Sequence, residues 1–231
     1  MLEGLLPEAV AVAELFGSVA GVELFEQEAE AVAGAAEQRR REFGSVRLCA
    51  RRALARLGVE PRPLVPRGSG PEWARRAPRW PEGVVGSMTH CAGYHAAAVA
   101  LAESVAALGV DGEPDEPLSD DVRRLITLPE ERPVLQRLGA AHPGVHWDRL
   151  LFSAKESVYK AWFPLTGRWL DFDQCAITPD PDHGTFTAAL KVPGPVVGGV
   201  RLDRFDGRWR AGHGLLVTAV VIPVPTSERG G

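Results

Sequence analysis

The chain has 231 residues, enough to bury a sizeable core as one large domain or two smaller halves. Hydrophobic residues make up 45% and charged residues 24%, the balance of a soluble globular protein. A formal net charge of −4 argues against bulk nucleic-acid binding but leaves room for a local basic pocket.

The N-terminal stretch is apolar but carries Glu3, Glu8 and Glu14 and no early basic residue, so it does not fit a secretory signal. No apolar run is long enough to span a bilayer. Residues 24–41, acidic early and arginine-rich late, predict a helix that complements its own dipole. A second helix is predicted over 45–57, with Gly58 at its C′ position and a stripe of Val46, Cys49, Ala53, Leu54 and Leu57. Arg47 and Arg51 share another face of it. Residues 59–83 read as a long Pro-, Gly- and Arg-rich loop, followed by strands at 84–90, 96–101 and 105–111 in a meander.

Between 114 and 146 only short helical patterns emerge, near 119–126 and 130–138. A strong helix follows from about 147 to 163, stopped by Pro164 and Gly167. Strands are predicted at 175–178, 185–190, 200–205, 208–210 and 215–223. Helix then strands, twice over, predicts an α+β fold in two halves with the break near 103–113. Cys49, Cys91 and Cys175 lack metal-ligand spacing and fit free thiols in a reducing cytoplasm.

Two charged clusters stand out. Asp111 and Glu113 flank Gly112 at the end of an apolar strand, where residues two apart share a side. Glu156 and Lys160 lie four apart on the 147–163 helix and also share a face. Only three of the 26 basic residues are lysine, and Lys155 and Lys160 both fall in this cluster, as though a compact ammonium were wanted. Taken alone, the acids read equally as a solvated loop and the helical pair as a surface ion pair. The bulky apolar neighbours Trp147, Leu150, Leu151, Phe152, Val158, Tyr159, Trp162 and Phe163 favour a cleft instead. Three carboxylates and one amine brought together would suit a magnesium ion and chemistry on a phosphate.

His90 ends a strand beside Ser87 and Thr89, whose hydroxyls suit gripping phosphate oxygens. His95 is expected to face solvent, and His142, His146, His183 and His213 carry no functional signal. The arginines between 39 and 79 are the chain's one basic concentration. They read either as a solvated helix face or as a pocket for a multiply phosphorylated small molecule, with Arg47, Arg51, Arg75 and Arg76 as the candidates.

GSMTHCAGY (86–94), GVDGEP (109–114) and LLFSAKESVYKAWFPLT (150–166) together resemble the three motifs of 4′-phosphopantetheinyl transferases. RRREFGSVRLCARRALARLG (39–58) and RWPEGVVGS (79–87) extend the resemblance toward the enterobactin synthase component D type, so that it covers about 35 to 177. Such enzymes move the phosphopantetheine arm of coenzyme A onto a serine of a carrier protein and release adenosine 3′,5′-bisphosphate. The resemblance implies a monomeric, cytoplasmic pseudo-dimer of similar α+β halves, each an antiparallel sheet packed with helices, here 1–105 and 106–231. Its partners would be coenzyme A and apo acyl or peptidyl carrier proteins, with no nucleic acid or membrane.

Carried over by motif, Asp111, Glu113 and Glu156 become ligands of Mg²⁺ (or Mn²⁺), and Glu156 also the acceptor of the serine proton. Lys160 would act at the leaving phosphate and His90 on a phosphate of the nucleotide. Arg47, Arg51, Arg75, Arg76, Ser87, Thr89 and Lys155 would complete the coenzyme A site. Gly112 departs from the apolar residue usual between the acids and is expected to loosen the strand end or admit a further water. The Arg-rich form of 70–79 departs as well. Two other readings use the same acids: a different Mg-dependent phosphoryl-transfer or phosphodiester-cleaving enzyme, and a non-catalytic module that binds coenzyme A or carrier.

Overall fold

A computed structural model describes residues 1–68, 71 and 77–225. Strands β1 (Val10–Phe16), β2 (Val84–Cys91) and β3 (Tyr94–Leu101) form an antiparallel sheet in the order β1-β3-β2. β1 escapes the sequence reading because VAVAELF mixes strand-favouring valines with Ala, Glu and Leu, which favour helix. Pairing of all seven of its residues with Tyr94–Ala100 of β3, not local propensity, makes it a strand.

The helix expected over 24–41 is instead two pieces. Glu26–Ala31 forms α1, and Glu37–Arg56 forms α2, which absorbs the second predicted helix. The break surrounds Gly34, where helix is costly. It also lets Glu28 turn inward: its buried carboxylate accepts from the backbone N–H groups of Phe25 and Leu64 and from Arg51. Past α2, Gly58 takes φ +70°, as its C′ position requires. Cys49, Ala50, Ala53 and Leu54 of α2 pack on Ala97 and Val99 of β3.

The predicted meander ends after its first hairpin. β4 (Val105–Pro114) leaves the first sheet and becomes the edge of a five-stranded antiparallel sheet. That sheet runs β4-β10-β9-β6-β5, with β5 Cys175–Asp180, β6 Thr185–Leu190, β9 Arg204–Gly212 and β10 Leu215–Pro223. The separate predictions at 200–205 and 208–210 merge into β9, leaving a two-residue ladder of β7 (Val196–Val197) and β8 (Val200–Arg201) beside it.

Helices α3 (Asp120–Ile126), α4 (Glu131–Ala141) and α5 (Trp147–Thr166) separate β4 from β5. α5 runs two residues beyond Pro164, which deletes one i→i−4 hydrogen bond without ending the helix, and stops at Gly167 with φ +64°. Leu150, Ala154, Val158 and Ala161 of α5 enter a core with Ala107, Leu216 and Val220 of β4 and β10.

The fold is α+β, with a 20-residue helix laid on an antiparallel sheet in each half. Between the sheets, Tyr94, Ala96, Ala98 and Ala100 of β3 pack against Leu108, Val110, Val217 and Ala219. Small alanines on one side let the sheets approach closely, which brings β4 alongside β2. Among the described residues no helix is long and apolar enough to cross a membrane.

Candidate active site

β4 passes so close to α5 that a Cβ on Gly109 would lie 1.9 Å from the Ser157 carbonyl oxygen and 2.8 Å from the Ala161 nitrogen. Only glycine allows this, and the approach sets Glu156 and Lys160 over the strand bearing Asp111. Lys160 Nζ donates to Asp111 Oδ1 at 2.7 Å, to the Val110 carbonyl at 3.1 Å and to the Met88 carbonyl of β2 at 3.4 Å. Burial works to lower the Lys160 pKa, but Asp111, Glu156 and Glu113 outweigh it and hold the ammonium above its ordinary value.

Opposite, β2 meets the free edge of β4 through side chains. Ser87 Oγ accepts from the Val110 N–H and Thr89 Oγ1 from the Gly112 N–H, both at 3.0 Å. Thr89 in turn donates to Asp111 Oδ1 at 3.2 Å. The two hydroxyls, expected on phosphate, thus bond strand β4; both are 4% exposed. Asp111 Oδ2 is buried with no hydrogen-bond partner among the described residues.

The space Gly112 leaves is not an opening for water. A Cβ there would lie 2.7 Å from the ring of Tyr94, a buried residue that donates to Glu14 Oε1 at 2.6 Å. Gly112 is the seat for that ring, and the strand end is held rather than loosened.

Glu113 is turned aside. Arg149 of α5 donates to Glu113 Oε2 at 2.9 Å and also binds the carbonyls of Glu116 and Pro117. Burial raises the Glu113 pKa, the charge of Asp111 adds to this, and Arg149 opposes it. Glu156 is likewise raised by burial; Lys160 opposes and Asp111 adds to the shift.

A cleft of about 1230 Å³ opens between the halves. Asp111, Glu156 and Lys160 line one wall, and Arg39, Arg47, Arg67, Arg79 and His90 the other. His90 Nε2 lies 2.7 Å from a guanidinium nitrogen of Arg39 and 3.8 Å from Glu42. Burial and then the charge of Arg39 lower its pKa, so its Nε2 is an acceptor and the ring neutral near pH 7. Arg47 is buried against the Phe43 ring and donates twice to the Leu64 carbonyl; burial lowers its pKa to about 10.

Two residues expected at the coenzyme A site do not line the cleft. Arg51 pairs with Glu28 and lies over the Phe25 ring, because the buried carboxylate needs a partner. Lys155 points to the other side of α5, where Nζ donates to Glu131 Oε2 at 3.0 Å and to the carbonyls of Ile126 and Phe172. One position from Glu156 on a helix is a rotation of about 100°, enough to change faces. His95 is also corrected: it is 1% exposed, with Nδ1 3.1 Å from the Gly17 carbonyl, because it shares with Ala97 and Val99 the face of β3 that α2 covers. Arg75 and Arg76 lie outside the described residues.

Comparison with known proteins converges on one family. The 4′-phosphopantetheinyl transferase N-terminal domain matches residues 27–100, and the 4′-phosphopantetheinyl transferase superfamily matches 107–215. The 4′-phosphopantetheinyl transferase Svp of Streptomyces mobaraensis is 59% identical over 202 residues, 87% of this chain and 80% of Svp. PptT of Mycobacterium tuberculosis is 42% identical over 93% of both chains. Npt of Nocardia iowensis is 44% identical over 95% of this chain and 99% of its own. The chain belongs to the 4′-phosphopantetheinyl transferases.

The boundary between the two family matches falls where the chain leaves the first sheet for β4. In this transferase the donor set suits a hard cation: carboxylate oxygens alone, with Asp111 Oδ2 unpartnered and two neighbouring carboxyls disfavoured as anions. Among the described residues no three acids, histidines or cysteines gather closely enough to hold a metal by themselves, since Arg149 draws Glu113 away. An ion held partly by carboxylates and partly by substrate phosphate fits that arrangement, as magnesium sites commonly do.

Sequence reasoning left unassigned Arg39, Arg67 and Arg79, which the cleft gathers, and Arg149. The signal available for Arg39 was its helical position eight residues before Arg47; the others sit where only the folded loop and α5 place them.

Proposed function

We propose that this chain transfers the 4′-phosphopantetheine moiety of coenzyme A to a serine hydroxyl of an apo carrier protein, releasing adenosine 3′,5′-bisphosphate. The observation that carries this reading is the cleft itself, with cations on one wall facing Asp111, Glu156 and Lys160 on the other. Arg39, Arg47, Arg67 and Arg79 bind the nucleotide phosphates through charge-assisted hydrogen bonds, and neutral His90 donates through Nδ1. Glu156, made more basic by its buried setting, accepts the serine proton directly or through water. The serine oxygen forms a bond to the phosphorus bearing the pantetheine arm as the pyrophosphate P–O bond breaks. Lys160 offsets the charge on the departing bisphosphate.

Asp111 and Glu156, joined by Glu113 on its release from Arg149, would hold a magnesium ion, which when bound neutralises pyrophosphate charge. Residues 1–105 supply the cationic wall and 106–231 the acids. Both walls come from one chain, which supports action as a monomer, and three free cysteines suit the cytoplasm.

Incubation with coenzyme A, Mg²⁺ and several apo carrier proteins, read by intact mass, tests the reading. Gain of the phosphopantetheine mass is expected; no gain on any carrier rejects it and leaves a non-catalytic binding module. Cleavage of nucleic acid would favour the phosphodiesterase alternative. Transfer by Glu156→Ala at the wild-type rate would remove the role given to that carboxylate.

A further inference from the structure

We infer that Thr89 is a positioning residue for Asp111, fixing which carboxylate oxygen is offered to the cation; this rests on the metal role proposed above. The hydroxyl has one proton, and it goes to Asp111 Oδ1 at 3.2 Å. Its lone pair accepts the N–H of Gly112, the next residue, at 3.0 Å. Thr89 therefore grips both the side chain of Asp111 and the backbone just after it.

Lys160 donates to the same Oδ1, at 2.7 Å. With two donors on one oxygen, rotation of the carboxylate about its own axis is opposed, and Oδ2 is the oxygen left over. That atom is buried, on a side chain 6% exposed, and lacks any partner among the described residues. An orphaned carboxylate oxygen is costly to bury unless it serves something else.

The fold makes this grip necessary. β4 is a sheet edge, and its outward N–H groups would meet water if β2 did not cover them. Ser87 performs the backbone half of the task at Val110 and makes no contact with a metal acid. Thr89 performs both halves, so its hydroxyl couples the strand seam to the carboxylate.

The test is Mn²⁺ binding by electron paramagnetic resonance, on the full chain with saturating coenzyme A, corrected for Mn²⁺ held by coenzyme A in solution. Binding of 3′,5′-ADP in EDTA is measured alongside. Thr89→Val, isosteric without the hydroxyl, is expected to weaken Mn²⁺ about 10–100-fold, the usual effect of losing a group that orients a metal ligand. Affinity for 3′,5′-ADP should stay within about threefold, and Thr89→Ser should restore Mn²⁺ binding. Should Thr89→Val unfold, Thr89→Cys keeps the size with a poor donor and carries the same expectation.

Wild-type Mn²⁺ affinity in either hydroxyl-free variant overturns the inference. So does a loss of 3′,5′-ADP affinity with Mn²⁺ unaffected, which would return the hydroxyl to the phosphate. A wild-type protein that binds no Mn²⁺ removes the metal role itself and the inference with it.

Discussion

Gly109→Ala probes the contact on which the site's assembly depends. The new Cβ would lie 1.9 Å from the Ser157 carbonyl oxygen and 2.8 Å from the Ala161 nitrogen. Both are backbone atoms of α5, so no side chain can swing clear. Restoring an ordinary contact needs α5 to lift from β4 by about 1.5 Å. Lys160 would then leave hydrogen-bond range of Asp111 Oδ1 and the Val110 carbonyl, now 2.7 and 3.1 Å away. Overpacking costs about 1–3 kcal/mol, and loss of a charged hydrogen bond about 1.5–3 kcal/mol more. At roughly 2–4 °C per kcal/mol for a chain of this size, Tm should fall by about 10 °C. Displacement of Glu156 and Lys160 by about 1 Å should cost transfer about 100-fold even in the folded fraction. Thermal melts and single-turnover intact-mass kinetics read both effects. Gly139→Ala is the control: it lies in α4 with nothing within 4 Å of the added carbon, and should stabilise by up to about 1 kcal/mol. A Gly109→Ala protein that melts within about 2 °C of wild type and transfers at its rate would refute the reasoning.

Lys155→Met should destabilise by about 3–5 kcal/mol, because it strands buried Glu131. Calorimetry on the folded protein should show coenzyme A affinity unchanged; lower affinity with unchanged Tm would return Lys155 to the substrate. Glu156→Gln should abolish transfer yet raise Tm at pH 8: with its folded pKa above the ordinary value, ionised Glu156 detracts from stability increasingly as pH rises through that pKa. A lower Tm at pH 8 contradicts this. Tyr94→Phe should cost about 1–2 kcal/mol at pH 7 by removing a donor to Glu14. Burial alone would raise the Glu14 pKa, but hydrogen bonds from Tyr94 and Leu2 bring it below the ordinary value. Its stabilising effect is therefore present above the ordinary glutamate pKa and lost as pH falls through the folded one, so the variant's penalty in urea titrations should shrink toward pH 3.

Much of the second half was legible because its signals are local. The apolar surroundings of Glu156 on the 147–163 helix marked a cleft, and the strand ending at Asp111 and Glu113 marked an acidic pair; both follow from periodicity alone. The motif resemblance then tied them to His90 and to a family that the comparisons bear out. The first half was harder. β1 mixes strand-favouring valines with helix-favouring Ala, Glu and Leu, and the break in 24–41 depends on Glu28 reaching Leu64 and Arg51 far along the chain.

Asp111 and Glu113 show where the division lies. That they stand on one side of a strand was set by sequence, since side chains two apart share a face whatever the strand packs against. Which partner each would find was not. Lys160 and Thr89 reach Asp111, Arg149 takes Glu113, and Tyr94 fills the gap at Gly112, all from elements distant in sequence. Those pairings arise because Gly109 lets α5 touch β4 and because the alanines of β3 let the two sheets close on each other. Residue type and local spacing thus determined the chemistry available, while only close packing between distant segments decided which lysine, arginine and hydroxyl would attend each acid.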